Sequence, residues 1–390
     1  MTDYIDYSQL DGDYLSSWET LYDRDKLLSH NLLNLLKKTV WLPSGNLAYE
    51  LITAYILLPS ALARVCPILF LNGARGTGKS TIGFLASKLH GVHVHTSADT
   101  FPAIRNDLEA RKWIVDLETR KVYERNAILI WDDIDEGVFA TKPDIYRMLK
   151  FGYDKESDTI SISTTKPGVN VQFRCFCPKI ISSCSPLHVS SSTLELQRRM
   201  LLVKTKKIEE FSESERQANG IYGELLSPSR LDLAQYSWKG FEQEFINFWN
   251  EDFARYYVAI RKEISQNPPN LDSHAMPISI DLLASAVASG VWSDQKEAYD
   301  KITAYWDWHR KTCSDNLASL AGLLSQVTSV AELNAKHCQS IPEVNSRHLK
   351  ECANNWHHQG MLETEPTPRA IGQAMAQLGY RLKLGKWVKE

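Results

Sequence analysis

The residue types best suited to chemistry gather between Pro67 and Ser80, Pro-Ile-Leu-Phe-Leu-Asn-Gly-Ala-Arg-Gly-Thr-Gly-Lys-Ser. Within it, Gly73-x-x-x-x-Gly78-Lys79-Ser80 matches the G-x-x-x-x-G-K-[ST] pattern of a phosphate-binding loop. Glycines are needed there because backbone N–H groups must turn inward around an anion, where a Cβ would obstruct them. The cradle would run through Gly73, Ala74, Arg75, Gly76, Thr77, Gly78, Lys79, Ser80 and Thr81. Lys79 would neutralise β and γ phosphates, and the Ser80 hydroxyl would hold Mg²⁺. The apolar run Ile68–Leu71 reads as a buried strand and the segment from Thr81 as a helix, whose positive end faces the same anion. A plain glycine-rich turn is the alternative; strand, loop, Lys-Ser and helix in this order favour the cradle.

A second chemical cluster follows about fifty residues on. Ala127-Ile-Leu-Ile-Trp131 is an apolar strand that ends in Asp132-Asp133-Ile134-Asp135-Glu136. Two acids at a strand end downstream of a phosphate loop form the Walker B pattern. Asp132 would hold Mg²⁺, directly or through water, and Asp133 would orient the attacking water. An acidic turn capping the next helix is the plainer reading of the same residues.

These groups need a frame to hold them. The chain has 390 residues, enough for two or three domains, with an ordinary composition of 43% hydrophobic and 23% charged residues. A net charge of −3 excludes a protein that coats nucleic acid through a general basic surface. Seven cysteines without paired spacing give neither a disulfide framework nor a zinc module, and Cys175-Phe-Cys177 reads as core packing. This usage fits a reducing cytosol, and a cytoplasmic location is expected. Leu51 to Val65 is apolar but too short for a bilayer, and the amino terminus has no signal-peptide pattern, so no membrane association is expected.

In chain order, Lys26–Lys38 reads as a helix of an amino-terminal appendage, and Leu47–Ala63 as a second helix that Pro59 ends or kinks. Val92–His95 alternates as an edge strand with its histidines toward solvent rather than on a metal. Thr96–Arg125 reads as helical pieces with solvated charge. Asp158–Cys175 reads as a hairpin with turn residues Thr165-Lys166-Pro167-Gly168. Pro178–Cys184 is a core strand with a polar end, and Arg198-Arg199 directly precede another apolar strand ending at Val203. Strands separated by helices in this order imply a parallel α/β core. A polar linker follows Lys207, Ser237–Gln266 is helical and aromatic, and the chain closes with helix, helix and hairpin, an order that suits a winged helix.

With loop, double acid, hairpin, polar-ended strand and Arg-bearing strand in this order, residues 40–205 resemble the AAA+ ATPases. They are most similar to superfamily 3 helicases and to the ATPase domains of phage- and plasmid-type primase–helicases. The resemblance implies a three-layer P-loop core of the AAA+/ASCE type at 46–207, after an appendage at 1–45. It is followed by a linker and helical region at 208–310 and a winged-helix-like unit at 311–390. ATP and Mg²⁺ are the implied cofactors. Lys79, Asp132, Asp133, Ser183, Arg198 and Arg199 are the implied catalytic residues, with Ser80 and Asp132 on the metal. Ser183 stands at the sensor 1 position, where many relatives carry Asn, and Cys184 follows it. Of the arginine pair, spacing favours Arg199 as the finger that enters a neighbouring subunit, with surface ion pairs as the alternative role.

Lys166 at the hairpin tip would meet DNA in a ring's pore, and Arg381, Lys383 and Lys386 in the last hairpin would contact a duplex backbone; both sets could also be simply solvated. The resemblance implies a homo-oligomer, a hexamer, that moves on DNA as a replicative helicase of a mobile element. A priming activity would come from a separate primase or replication protein. The alternative is a regulatory or assembly ATPase without unwinding activity, such as a loader, a transposition regulator or a defence switch.

Overall fold

The computed structural model describes residues 22–43, 45–115, 122–134, 136–163, 170–185, 187, 194–218, 235–338, 342–358, 362 and 366–389. In chain order its strands are β1 Ile68–Asn72, β2 Val94–His95, β3 Trp113–Val115, β4 Val122–Glu124, β5 Leu129–Trp131 and β6 Thr159–Ser163. They continue with β7 Asn170–Arg174, β8 Lys179–Ser183, β9 Met200–Lys204, β10 Glu343–Asn345, β11 Tyr380–Lys383 and β12 Lys386–Lys389. The helices are α1 Leu28–Thr39, α2 Asn46–Ile56, α3 Lys79–His90, α4 Phe101–Lys112, α5 Glu136–Thr141, α6 Pro143–Phe151 and α7 Leu194–Gln197. After these come α8 Glu213–Ala218, α9 Gln235–Phe248, α10 Glu251–Gln266, α11 Ala275–Ala288, α12 Gln295–Cys338, α13 Ser346–His358 and α14 Pro368–Gln377.

Five strands form one parallel sheet in the order β2-β5-β8-β1-β9. β1 and β8 are buried along their whole length, as a parallel strand covered on both faces must be; β1 is accordingly apolar from Ile68 to Leu71, while the buried Lys179, Ser182 and Ser183 of β8 are each hydrogen-bonded. The register sets Asn72 beside both Ser183 and Lys204, so β1, β8 and β9 end at one level. Helix α3 leaves β1 and packs back over β8 and β5. Gly83 permits this approach, since a Cβ there would stand 3.3 Å from Ile130 Cγ2.

The chain divides into two compact units, residues 1–184 with 198–304, and residues 185–197 with 305–390. The first therefore contains more than the sheet. α1 buries Leu28, Leu32, Leu35 and Leu36 and packs on α2, so Lys26–Lys38 is an integral helix of this unit and not an appendage to it. The helices from 235 to 304 also belong to this unit, in place of a separate region at 208–310. Their docking is fixed by Asp281, which is 1% exposed. Its carboxylate accepts from the amides of Arg64 and Val65 at 3.1 and 2.9 Å, from the Tyr257 hydroxyl at 2.6 Å and from Arg261 Nε at 2.6 Å. One buried charge is thus satisfied by four donors from the segment ahead of β1 and from α10.

In the second unit α13, α14 and the antiparallel sheet β10-β12-β11 enclose Leu349, Ala353, Ile371, Met375 and Tyr380. Glu332 ties the end hairpin to α12 by accepting from Tyr380 at 2.9 Å and pairing with Lys389 at 2.6 Å.

Several elements differ from their sequence expectations. The apolar helix stops at Ile56, ahead of Pro59. Ser237–Gln266 is two helices, broken at Asn250, whose side chain caps α10 by accepting from Phe253 N at 2.9 Å. The stretch expected as helical pieces forms α4 and then an antiparallel pair, β3 with β4, where Trp, Ile, Val and Tyr favour extended backbone. The hairpin β6–β7 forms as expected, but Lys166 at its tip lies outside the described residues. β2 is an edge strand; His93, just ahead of it, is exposed, while His95 on it is buried. Cys175 and Cys177 are both buried.

His90, the last residue of α3, donates Nε2–H to the Ile56 carbonyl at 3.0 Å and packs against Phe245 and Trp249. Burial pushes its pKa down to about 4, against the pull of that carbonyl. The folded state therefore favours the neutral ring, and its contribution to stability is complete above about pH 6.5 and falls as pH drops toward 4. Urea unfolding of the wild type should lose up to about 1.4 kcal/mol per pH unit across this window, and His90→Leu should flatten the slope. Asp281→Ala should cost about 3–5 kcal/mol in the same assay, because it strands Arg261 and two amides.

Candidate phosphate-binding site

In an open parallel sheet, ligands bind beyond the carboxyl ends of the strands. Here β1, β8 and β9 end at one level and β5 stops two residues short of it, and each delivers a polar group to that edge. β1 runs into the loop Gly73–Gly78. Gly76 and Gly78 have φ of 77° and 86°, a region that a side chain disfavours. A Cβ on Gly73 would run into the Thr205 hydroxyl and carbonyl, and one on Gly78 would stand 2.6 Å from Val40 Cγ2. The glycines thus serve two purposes, backbone reversal and close contact with neighbours on either side.

The loop is fastened from both flanks. Thr205, just after β9, donates its amide to Asn72 O at 2.8 Å, and its hydroxyl lies 2.6 Å from that of Thr77. Lys204 Nζ reaches Asn72 Oδ1 at 3.2 Å. On the other flank Tyr49 holds Val40 in place, donating its hydroxyl to Val40 O at 2.8 Å and accepting from Leu42 N at 3.1 Å.

Lys79, only 7% exposed, opens α3 and curls over the loop. Its ammonium donates to Gly73 O and Ala74 O at 2.7 Å each and stands 3.6 Å from Cys184 Sγ. Arg75 and Ser80 are exposed, Thr81 is half-buried, and Gly78 caps the helix in the left-handed conformation.

The acid pair sits two strands away. Asp132 follows β5, and its carboxylate accepts from the Ser182 hydroxyl. Asp133 adopts φ 56°, a conformation that Asp tolerates better than most residues. Its amide donates to Ser182 Oγ at 3.1 Å, and the residue is exposed. Ile134 then turns into the core and donates its amide to Ser182 O at 3.0 Å. β1 and β5 flank β8, so two strand spacings, about 10 Å, separate the start of the glycine loop from the acid pair.

Two site expectations change. Ser183 is fully buried and gives its hydroxyl to the Ile134 carbonyl, so it does not face the edge. Cys184, exposed and beside Lys79, takes that place. Arg199 lies at the opposite edge of the sheet, where its carbonyl accepts from Ile68 N at 2.7 Å and its guanidinium stacks on Tyr153 at 4.5 Å. Arg198, in the same turn, is exposed. In the second unit Arg381, Lys383 and Lys386 are all exposed, and Lys386 pairs with Glu343 at 2.7 Å. Val40, Ser182 and Thr205, which brace the site, have no local sequence signal. Only their place in the register reveals them.

The contact at Gly78 is testable by a double-mutant cycle. Gly78→Ala should destabilise the chain by about 2 kcal/mol or more, from left-handed backbone and overpacking together. In a Val40→Ala background the same change should cost about 1 kcal/mol less, since only the packing conflict is relieved. Urea unfolding of the four proteins measures both values.

No protein-family model matches this sequence, and no curated protein matches it either.

Proposed function

We propose that the chain is an oligomeric ATPase with a three-layer AAA+ core, acting as a motor on DNA. The observation that carries this reading is the meeting, at one sheet edge, of a glycine loop, a lysine bent over it and an acid pair braced by Ser182. The residue types suit Mg·ATP. The loop's Gly76 and Gly78 are in the conformation that turns N–H groups inward, Lys79 supplies a cation, and Ser80 an exposed hydroxyl. Bound Mg·ATP supplies the phosphoryl group that is cleaved. Lys79 would exchange its two loop carbonyls for phosphate oxygens, while Ser80 and Asp132 would hold the metal. Asp133, turned outward by its left-handed backbone, would orient the attacking water.

The arginine pair supports action between copies. Because Arg198 and Arg199 precede β9 while Lys79 follows β1, they stand at opposite edges of the same sheet. Either arginine could serve only another copy's nucleotide, as in a ring. Exposed Arg198 is the better finger, since Arg199 is spent on Tyr153. Translocation on DNA rests on the resemblance to superfamily 3 and primase–helicase ATPases, with the second unit read as a winged helix. A replicative helicase of a mobile element is the fullest form of this reading.

One observation favours the second reading, a regulatory or assembly ATPase that does not unwind. Lys386 and Lys389 in the end hairpin are already paired with Glu343 and Glu332, which lowers their call on a DNA backbone. The two readings separate in one set of assays. Lys79→Ala and Asp133→Asn should each lower ATP turnover about 100-fold or more with an unchanged melting temperature. Stimulation of the wild type by single-stranded DNA together with forked-duplex unwinding supports the motor; nucleotide-dependent assembly without strand separation supports the switch. Unchanged turnover in Lys79→Ala would remove both.

A further inference from the structure

We propose that the carboxyl end of β2 is a binding site for a zinc-type divalent ion, with His93, His95 and Asp99 as ligands. This site is independent of the nucleotide reading. His93 stands just ahead of β2 and His95 ends it, and their rings meet edge to face at 5.2 Å. One ring nitrogen of each and a carboxylate oxygen of Asp99 lie within 4.8 Å of one another. Ligands around a tetrahedral zinc stand about 3.3 Å apart, from bonds of about 2.0–2.1 Å. The His95–Asp99 pair is already at 3.2 Å, so exposed His93 alone must close in.

The hydrogen inventory around His95 points to a cation. The ring is nearly buried and presents Nε2 to Asp107 and Nδ1 to Asp99, each at 3.2 Å. A neutral imidazole has one N–H for these two carboxylates. Asp107 is oriented by Arg111 at 2.7 Å and is the natural acceptor of Nε2–H. Nδ1 then turns a lone pair toward an oxygen that also carries one, and His93 adds a third donor atom. A divalent ion between them resolves the conflict, and Asp107 becomes the outer carboxylate that fixes the ligand's tautomer. The Asp99 carboxylate is further fixed by the Thr96 amide, which donates to it at 2.8 Å. Two imidazoles and one carboxylate suit zinc, cobalt or nickel; magnesium and calcium prefer oxygen alone.

The His95 carbonyl accepts the Asp132 amide at 2.8 Å, so an ion here would brace the strand end against which the Walker-type acid is set. Titration of the untagged, nucleotide-free full chain with Co²⁺, followed by Zn²⁺ displacement, tests the site. One Co²⁺ per chain with a ligand-field band in the visible is expected, and Zn²⁺ should bleach it. His93→Ala and Asp99→Asn should abolish the band, Asp107→Asn should weaken binding about 10–100-fold, and Asp132→Asn should bind as the wild type does. Absence of stoichiometric binding would overturn the site. So would binding unaffected by His93→Ala and Asp99→Asn, or binding lost in Asp132→Asn.

Discussion

Asn72 closes β1 with Ser183 on one side and Lys204 on the other, and this three-strand register is the constraint on which the candidate site depends. The Asn72 side chain reinforces it, donating to the Ser183 carbonyl at 3.2 Å and accepting from Lys204. A parallel strand shifted by one residue would exchange its two faces and displace every group at the sheet edge. Thr205 could then no longer fill the space that Gly73 leaves, and Ser182 could not reach both Asp132 and the Asp133 amide. The loop owes its shape to these neighbours as much as to its own glycines.

Ser182 divides the labour between the two aspartates. A hydroxyl that donates to one carboxylate and accepts the next residue's amide fixes both groups with a single atom. Asp132 is thereby held at the strand end, half-buried, while the left-handed turn releases Asp133 to solvent. Adjacent acids of identical chemistry acquire different environments from one backbone torsion. On the proposed reading, that difference would separate the metal-holding group from the one that handles water.

Much of this was legible in the sequence, for identifiable reasons. The β1 loop announces itself because a fully apolar strand, three glycines and Lys-Ser occur in an order that few other structures require. Asn250 followed by Glu and Asp carries the cap signal that splits the aromatic helix, although the periodicity runs through it. Strands of three residues, as at Trp113–Val115, are too short to show a period, and mixed charge nearby resembles a helix face. Val40 and Thr205 were not legible because each matters only through a space that a distant glycine leaves open. Ser183 misled because alternation along β8 sends it inward, while its neighbours Ser182 and Cys184 reach the edge.

The parallel topology also bears on how the chain is made. β1 finds one neighbour in β8 and the other in β9, whose first residue, Met200, pairs with Ile68 across 200 − 68 = 132 residues of chain. The segment just ahead of β1 is secured later still, by Asp281, 216 residues beyond Val65. At ribosomal speeds of about 5–20 residues per second, the most apolar strand of the sheet waits on the order of ten seconds for its partners. Throughout that interval an emerging Ile-Leu-Phe-Leu run has both edges open to other chains. The arrangement that makes the finished sheet so well shielded therefore leaves the nascent polypeptide open to mispairing until β9 has been made.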